Sequence, residues 1–158
     1  MEINILIEED MDINIDHDML RQAAEKVLIE ENAPQNAEIS LLITDQDRIQ
    51  ELNREYRGKD QPTDVLSFSM SSGQSGEGDD DFIVPPDGLK HLGEIIISYP
   101  QAELQAKESK HSIQREMAAL IVHGALHILG YDHEIEEKAP AMQAKELKIL
   151  SELKEIIP

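Results

Sequence analysis

A chain of 158 residues with 40% hydrophobic content is long enough to bury a core and is read as one domain, residues 1–158. The absence of cysteine excludes disulfide frameworks and thiolate zinc sites. The amino terminus, MEINILIEEDMDIN, lacks the basic region and apolar run of a secretory signal, and no later stretch reaches the ~20 apolar residues that span a bilayer, so a soluble, cytoplasmic protein with no membrane partner is expected. With 33 acidic and 14 basic residues the formal charge is −19, which argues against a polyanionic partner unless cations are gathered at one place.

Aromatic residues make up only 3% of the chain, so Leu, Ile and Val must carry the packing. Residues 3–8 (INILIE) are short and β-branched and predict a strand. Asp16 or Asp18 then caps a helix running to about Asn32, with Leu20, Ala23, Ala24, Val27 and Leu28 on its buried face. Residues 37–43 predict a second strand. Thr44 is the expected cap of the next helix, whose inner face is Ile49, Leu52 and Tyr56. The composition of residues 57–62 (RGKDQP) predicts a turn, leading into a third strand at 64–70. Gly, Ser and acidic residues dominate the start of the 71–89 segment, including EGDDD at 77–81, and predict a flexible acidic loop.

The run of isoleucines in LGEIIIS, 92–98, predicts a fourth strand buried on both faces. Helices are expected near 99–109 and over about Ser112–Leu129. The second of these is nearly all apolar after Glu116, which places it centrally, and Gly130 is its left-handed stop. Pro140 fits the first turn of a last helix in which Met142, Ile149, Leu150, Leu153 and Ile157 face inward. The order β-α-β-α-β-β-α-α-α predicts an α/β (α+β) domain: a small four-stranded mixed sheet packed with about five helices, the histidine-bearing helix at the centre.

Half of the chain's six histidines fall within HGALHILGYDH, 123–133. His123 and His127 are four apart on a helix, so their Cβ atoms lie on one face about 5–6 Å apart. Gly130 lets the chain reverse and return His133 as a third donor. The pattern H-x-x-x-H-x-x-G-x-x-H matches the metzincin zinc ligands and turn glycine. Three neutral nitrogens suit one Zn²⁺ per chain, with another divalent transition metal as the alternative, and leave a coordination position open. Packing alone accounts poorly for three imidazoles around one bend, because burying them without partners is unfavourable. Gly124 stands where a metzincin has its glutamate base, so ordinary zinc proteolysis is rejected. A glycine in a helix interior costs about 0.8–1.0 kcal/mol relative to alanine. It either makes room for a substrate or strand near the ion, or lets the sheet pack closely.

Arg54, Arg57 and Lys59 are the densest basic cluster of an acidic chain, and Arg57 at its glycine turn is suited to clamp a phosphate. A solvated turn making surface ion pairs is the competing reading. YRGKDQPTDVLSF (56–68), LGEIIIS (92–98) and HGALHILGYDH (123–133) together resemble the YbeY family of bacterial endoribonucleases. The three blocks stand in the family's order and cover the central half of the chain.

The resemblance implies a single-strand-specific, metal-dependent RNase acting in 16S ribosomal RNA 3′-end maturation and ribosome quality control. It implies zinc on His123, His127 and His133, and a functional arginine at Arg57. Arg57 and His123 are accordingly the candidate catalytic residues, with single-stranded RNA, 16S rRNA and the ribosome or its proteins as partners. Asp132, Glu94 and Asp64 are candidates to orient a ligand histidine or relay a proton. The EGDDD loop and the strongly negative total depart from the family pattern, and imply that a protein partner or the ribosome supplies part of the RNA affinity. Two other functions fit the same residues: a non-catalytic ribosome-assembly factor with a structural metal, and a metal hydrolase of another substrate.

Overall fold

Four short β-branched segments pair into a single mixed sheet in the computed structural model, which describes residues 1–8, 11, 13–70, 88–131, 139–155 and 157. They are β1 (Glu2–Ile7), β2 (Ala37–Thr44), β3 (Val65–Ser69) and β4 (Lys90–Ser98), in spatial order β1-β2-β4-β3. β1 and β4 both pair parallel to β2, while β3 runs antiparallel to β4 with Leu66 opposite Ile96. The helices among the described residues are α1 (His17–Glu30), α2 (Gln46–Arg57), α3 (Tyr99–Ser109), α4 (Ile113–Ile128) and α5 (Ala139–Leu153). This is the α/β architecture expected from the sequence. The expected acidic loop falls largely on residues 71–87, outside the described residues.

The sheet's two faces are sorted by alternation. Ile39, Leu41 and Ile43 of β2, with Ile95 and Ile97 of β4, are at most 1% exposed and pack into one core cluster with Leu20, Ala23, Val27 and Leu28 of α1 and Ile121 and Ala125 of α4. On the opposite face Leu66 and Ile96 meet Ile49 and Leu52 of α2. Burying each such side chain contributes about 1.5–3 kcal/mol. The isoleucine run of β4 is buried on both sides, as its composition predicted: Ile95, Ile96 and Ile97 are all at most 2% exposed. α4 packs against α1, α3, α5, β3 and β4, which is why its sequence is apolar nearly all round.

Helix ends follow local chemistry. Asp16 caps α1 and Ser112 caps α4, each accepting a backbone N–H in the first turn. α2 is capped by Asp45, whose carboxylate accepts from Arg48 N at 2.8 Å, and not by Thr44. Thr44 is still in β2, fully buried opposite Ser98, and the ionised neighbour is the stronger acceptor at the positive helix end. α4 ends in a Schellman motif: Tyr131 N donates to Leu126 O, Gly130 N donates to His127 O, and Gly130 takes φ +107°.

A second correction concerns Tyr56. It continues the apolar spacing of Ile49 and Leu52 but is 67% exposed. The α2 helix lies on β4 and on β3, the last strand at the sheet's edge, and there Tyr56 meets Phe68 edge to face rather than joining the cluster of Ile49 and Leu52.

Candidate functional site

Along that edge runs a cleft of about 570 Å³, lined by Asn53, Tyr56 and Arg57 of α2, residues of the following turn, Asp64, β3, and His123 and His127 of α4. Several physical features bring these groups together. Gly58 takes φ +71° and its N–H returns to Arg54 O, so α2 stops and the chain turns back toward β3. Asn53 fastens that turn: its Nδ2 donates to Gln61 O at 2.8 Å, and its own carbonyl accepts from Lys59 N. Asp64 immediately precedes β3, with Oδ1 accepting from Val65 N at 2.8 Å and Oδ2 accepting from Nε2 of Gln105 at 3.4 Å.

On α4 the residues from Glu116 to Ile128 are buried except Ala119, His123 and His127, which are spaced four apart and form one half-exposed stripe. The two imidazoles meet edge to face with ring centroids 4.8 Å apart. The Nδ1 atom of His123 lies 3.1 Å from Oε1 of Glu146 on α5. A carboxylate there favours the Nδ1–H tautomer and commits Nε2 as the nitrogen that serves a cation, the usual outer support of a metal-binding histidine. Two half-buried imidazoles on one stripe, that of His123 held by a carboxylate, suit a divalent cation. His133, the third expected donor, and Asp132 lie outside the described residues. Among the described residues no set of three His, Asp or Glu side chains is gathered that could hold a metal.

Gly124, between the two histidines, is buried against β4. A Cβ built on it would stand 3.0 Å from Cγ2, 3.2 Å from Cγ1 and 3.3 Å from Cδ1 of Ile95. Of the two readings the sequence allows, close packing on the sheet is the one observed. The missing side chain lets α4 approach β4, and so sets how far the histidine stripe stands above β3.

Arg57 lines the same cleft as His123 and His127. Arg54 faces Asp60 instead, at 3.6 Å. Among the described residues, the cleft lining carries the cations Arg57 and Lys59 and the carboxylate Asp64, on a chain whose total is −19. Glu94 stands opposite Phe68 and alternates with Ile95, so it projects to the sheet face away from α4 and does not orient these histidines.

The orienting carboxylate, Glu146, was missed by sequence reasoning. Its signal was present: it sits four after Met142 and three before Ile149, a charged residue on the apolar stripe of α5. Asn53 was missed for the same reason. It is a polar residue four after Ile49 and only 3% exposed, and its Oδ1 has no hydrogen-bond partner among the described residues.

Comparison with known proteins covers nearly the whole chain. The family model for endoribonuclease YbeY matches residues 5–154. A protein of Dehalococcoides mccartyi named endoribonuclease YbeY is 42% identical over 99% of this chain and 92% of its own length. Proteins of the same name from Geobacillus thermodenitrificans and Heliobacterium modesticaldum are 50% and 53% identical, each over 84% of this chain and over 83% and 80% of their own lengths. A Thermotoga maritima protein of known solution structure shares the fold with a TM-score of 0.59 and 27% identity, over 96% of this chain and 88% of that one.

Proposed function

The chain belongs to the YbeY endoribonuclease family, and from that premise we propose that it is a metal-dependent, single-strand-specific endoribonuclease acting in 16S rRNA 3′-end maturation and ribosome quality control. The observation that carries this reading is one cleft holding Arg57 together with His123 and His127. In this proposal the whole chain works as one domain in the cytoplasm, alongside the ribosome or its proteins, with His123, His127 and His133 holding one Zn²⁺ or another divalent transition metal. No helix among the described residues is long and apolar enough to cross a membrane.

A divalent cation held there supplies Lewis acidity toward a phosphate oxygen. The chain's own residues do the rest. Glu146 fixes the His123 ring through Nδ1. Arg57 supplies planar donors for the charge that grows on the phosphoryl oxygens as the phosphodiester is attacked, a kind of stabilisation worth most in a partly enclosed site. Lys59 adds a second cation along the RNA backbone, and in this proposal Asp64, which lines the cleft, takes the proton of the attacking oxygen as the bond from phosphorus to the leaving oxygen breaks and water protonates that oxygen. Gly124 stands where a metzincin has its glutamate base, so the residue that follows the first histidine carries no carboxylate.

The test is cleavage of single-stranded RNA by wild type, His123→Ala and Arg57→Ala, each with its metal content measured. Loss of metal and cleavage together in His123→Ala, and loss of cleavage with metal retained in Arg57→Ala, is the expected result. Equal nuclease activity in all three preparations overturns the assignment.

A further inference from the structure

Tyr56 is the one aromatic among the large apolar side chains exposed on the described surface, at 67%, and it lines the cleft. Its ring meets Phe68 of β3 edge to face, with centroids 5.6 Å apart and planes at 65°. Such a contact covers at most one face of one ring and fixes the orientation of both. In a chain with only three tyrosines and two phenylalanines, two of the five aromatics thus meet at the lip of the site, Phe68 half-buried against the core and Tyr56 exposed upon it. The core does not use Tyr56, and water gains nothing from it.

The neighbours of Tyr56 give it a use. Asn53, Tyr56 and Arg57 follow the i, i+3, i+4 spacing and so form one stripe of α2. That stripe presents a buried acceptor without a partner among the described residues, an exposed ring, and a guanidinium, all on the lining of one cleft. A single nucleotide matches all three: its base stacks on the ring, the base's polar hydrogens face the acceptor, and its phosphate meets the guanidinium. Duplex bases are already stacked on both faces and cannot use the ring, whereas a single strand offers bases that can be splayed onto aromatic or guanidinium planes.

We propose that Tyr56, steadied by Phe68, is the stacking platform for one unpaired base next to the scissile phosphate, and so a source of the preference for single strands. The inference rests on the ribonuclease reading and adds a base-binding subsite to it. Tyr56 is here a binding residue: it sets where the strand lies and takes no proton.

The experiment uses the His123→Ala background, in which cleavage is silenced, and a single-stranded RNA carrying 2-aminopurine at successive positions. In the parent and in Tyr56→Phe, one position is expected to be quenched on binding. In Tyr56→Ala and Tyr56→Leu that quenching disappears and affinity falls by roughly 5- to 150-fold, the range for removal of one base–aromatic stack. The leucine variant keeps apolar bulk, so a loss shared by both belongs to the ring. Replacing the quenched nucleotide by an abasic one is expected to make all four proteins bind alike. Equal quenching and affinity in Tyr56→Ala and parent overturns the stacking inference while leaving the ribonuclease reading intact. Failure of the parent to bind single-stranded RNA, with wild type failing to cleave it, overturns both.

Discussion

Replacing Gly124 with alanine tests how the position of the two histidines is set. In an unconstrained helix interior the change stabilises by about 0.8–1.0 kcal/mol. Here the new Cβ would stand 3.0–3.3 Å from three carbons of Ile95. That side chain is fully buried in β4, between β2 and β3, so it has little room to retreat. Overpacking of this kind costs about 1–3 kcal/mol, so the net expectation is a destabilisation of up to about 2 kcal/mol.

The partner experiment fixes the cause. Ile95→Ala removes all three opposing carbons at a cost of about 2–5 kcal/mol, and in that background Gly124→Ala is expected to stabilise by about 1 kcal/mol. Urea denaturation of the four proteins measures both effects and their coupling. A Gly124→Ala that stabilises the wild-type background by about 1 kcal/mol refutes the packing account and returns the glycine to the other reading, space for a ligand.

Two further outcomes follow from the polar contacts. Glu146→Ala is expected to lower zinc affinity about 10- to 100-fold in competition with a chromophoric chelator, with Glu146→Gln intermediate; unchanged affinity shows that the 3.1 Å contact does not hold His123 for the metal. Glu38 is buried, which disfavours its charge, but hydrogen bonds from His91, Ser40 and Asn4 outweigh burial and hold its carboxyl below the ordinary glutamate value of 4.5. A depressed native pKa gives stability that is present above the unfolded value and lost as pH falls through the native one. The stability gap between wild type and Glu38→Gln should therefore be full near neutrality and close as the pH drops below about 4.5, because protonated Glu38 resembles glutamine. A gap constant from neutral to acid pH contradicts the assignment.

Much of the fold was legible because its signals are local. The isoleucine run of β4, the buried stripe of α1, the apolar α4 and the glycine after it are each written within one element, and each appears where the pattern put it. What the sequence hid was tertiary. Tyr56 keeps the helical spacing of its apolar neighbours, but nothing local says that it meets the last strand of the sheet and not the buried cluster. Thr44 and Asp45 are both good caps, and the choice depended on β2 extending through Thr44 to pair with Ser98.

The same holds at the site. The histidine spacing and the basic cluster were plain, and the cleft brings Arg57, His123 and His127 together. Glu146 reaches His123 from 23 residues away, through the packing of α5 on α4, and was visible only as a carboxylate out of place on an apolar stripe.

X-ray absorption at the zinc edge of the loaded wild-type protein tests the central claim most directly. The account predicts one zinc per chain with three imidazole nitrogens at about 2.0–2.1 Å, the nitrogen count falling in His127→Ala and in His133→Ala. Zinc that stays at one equivalent with the same nitrogen shell in both variants would place the ion elsewhere and contradict it.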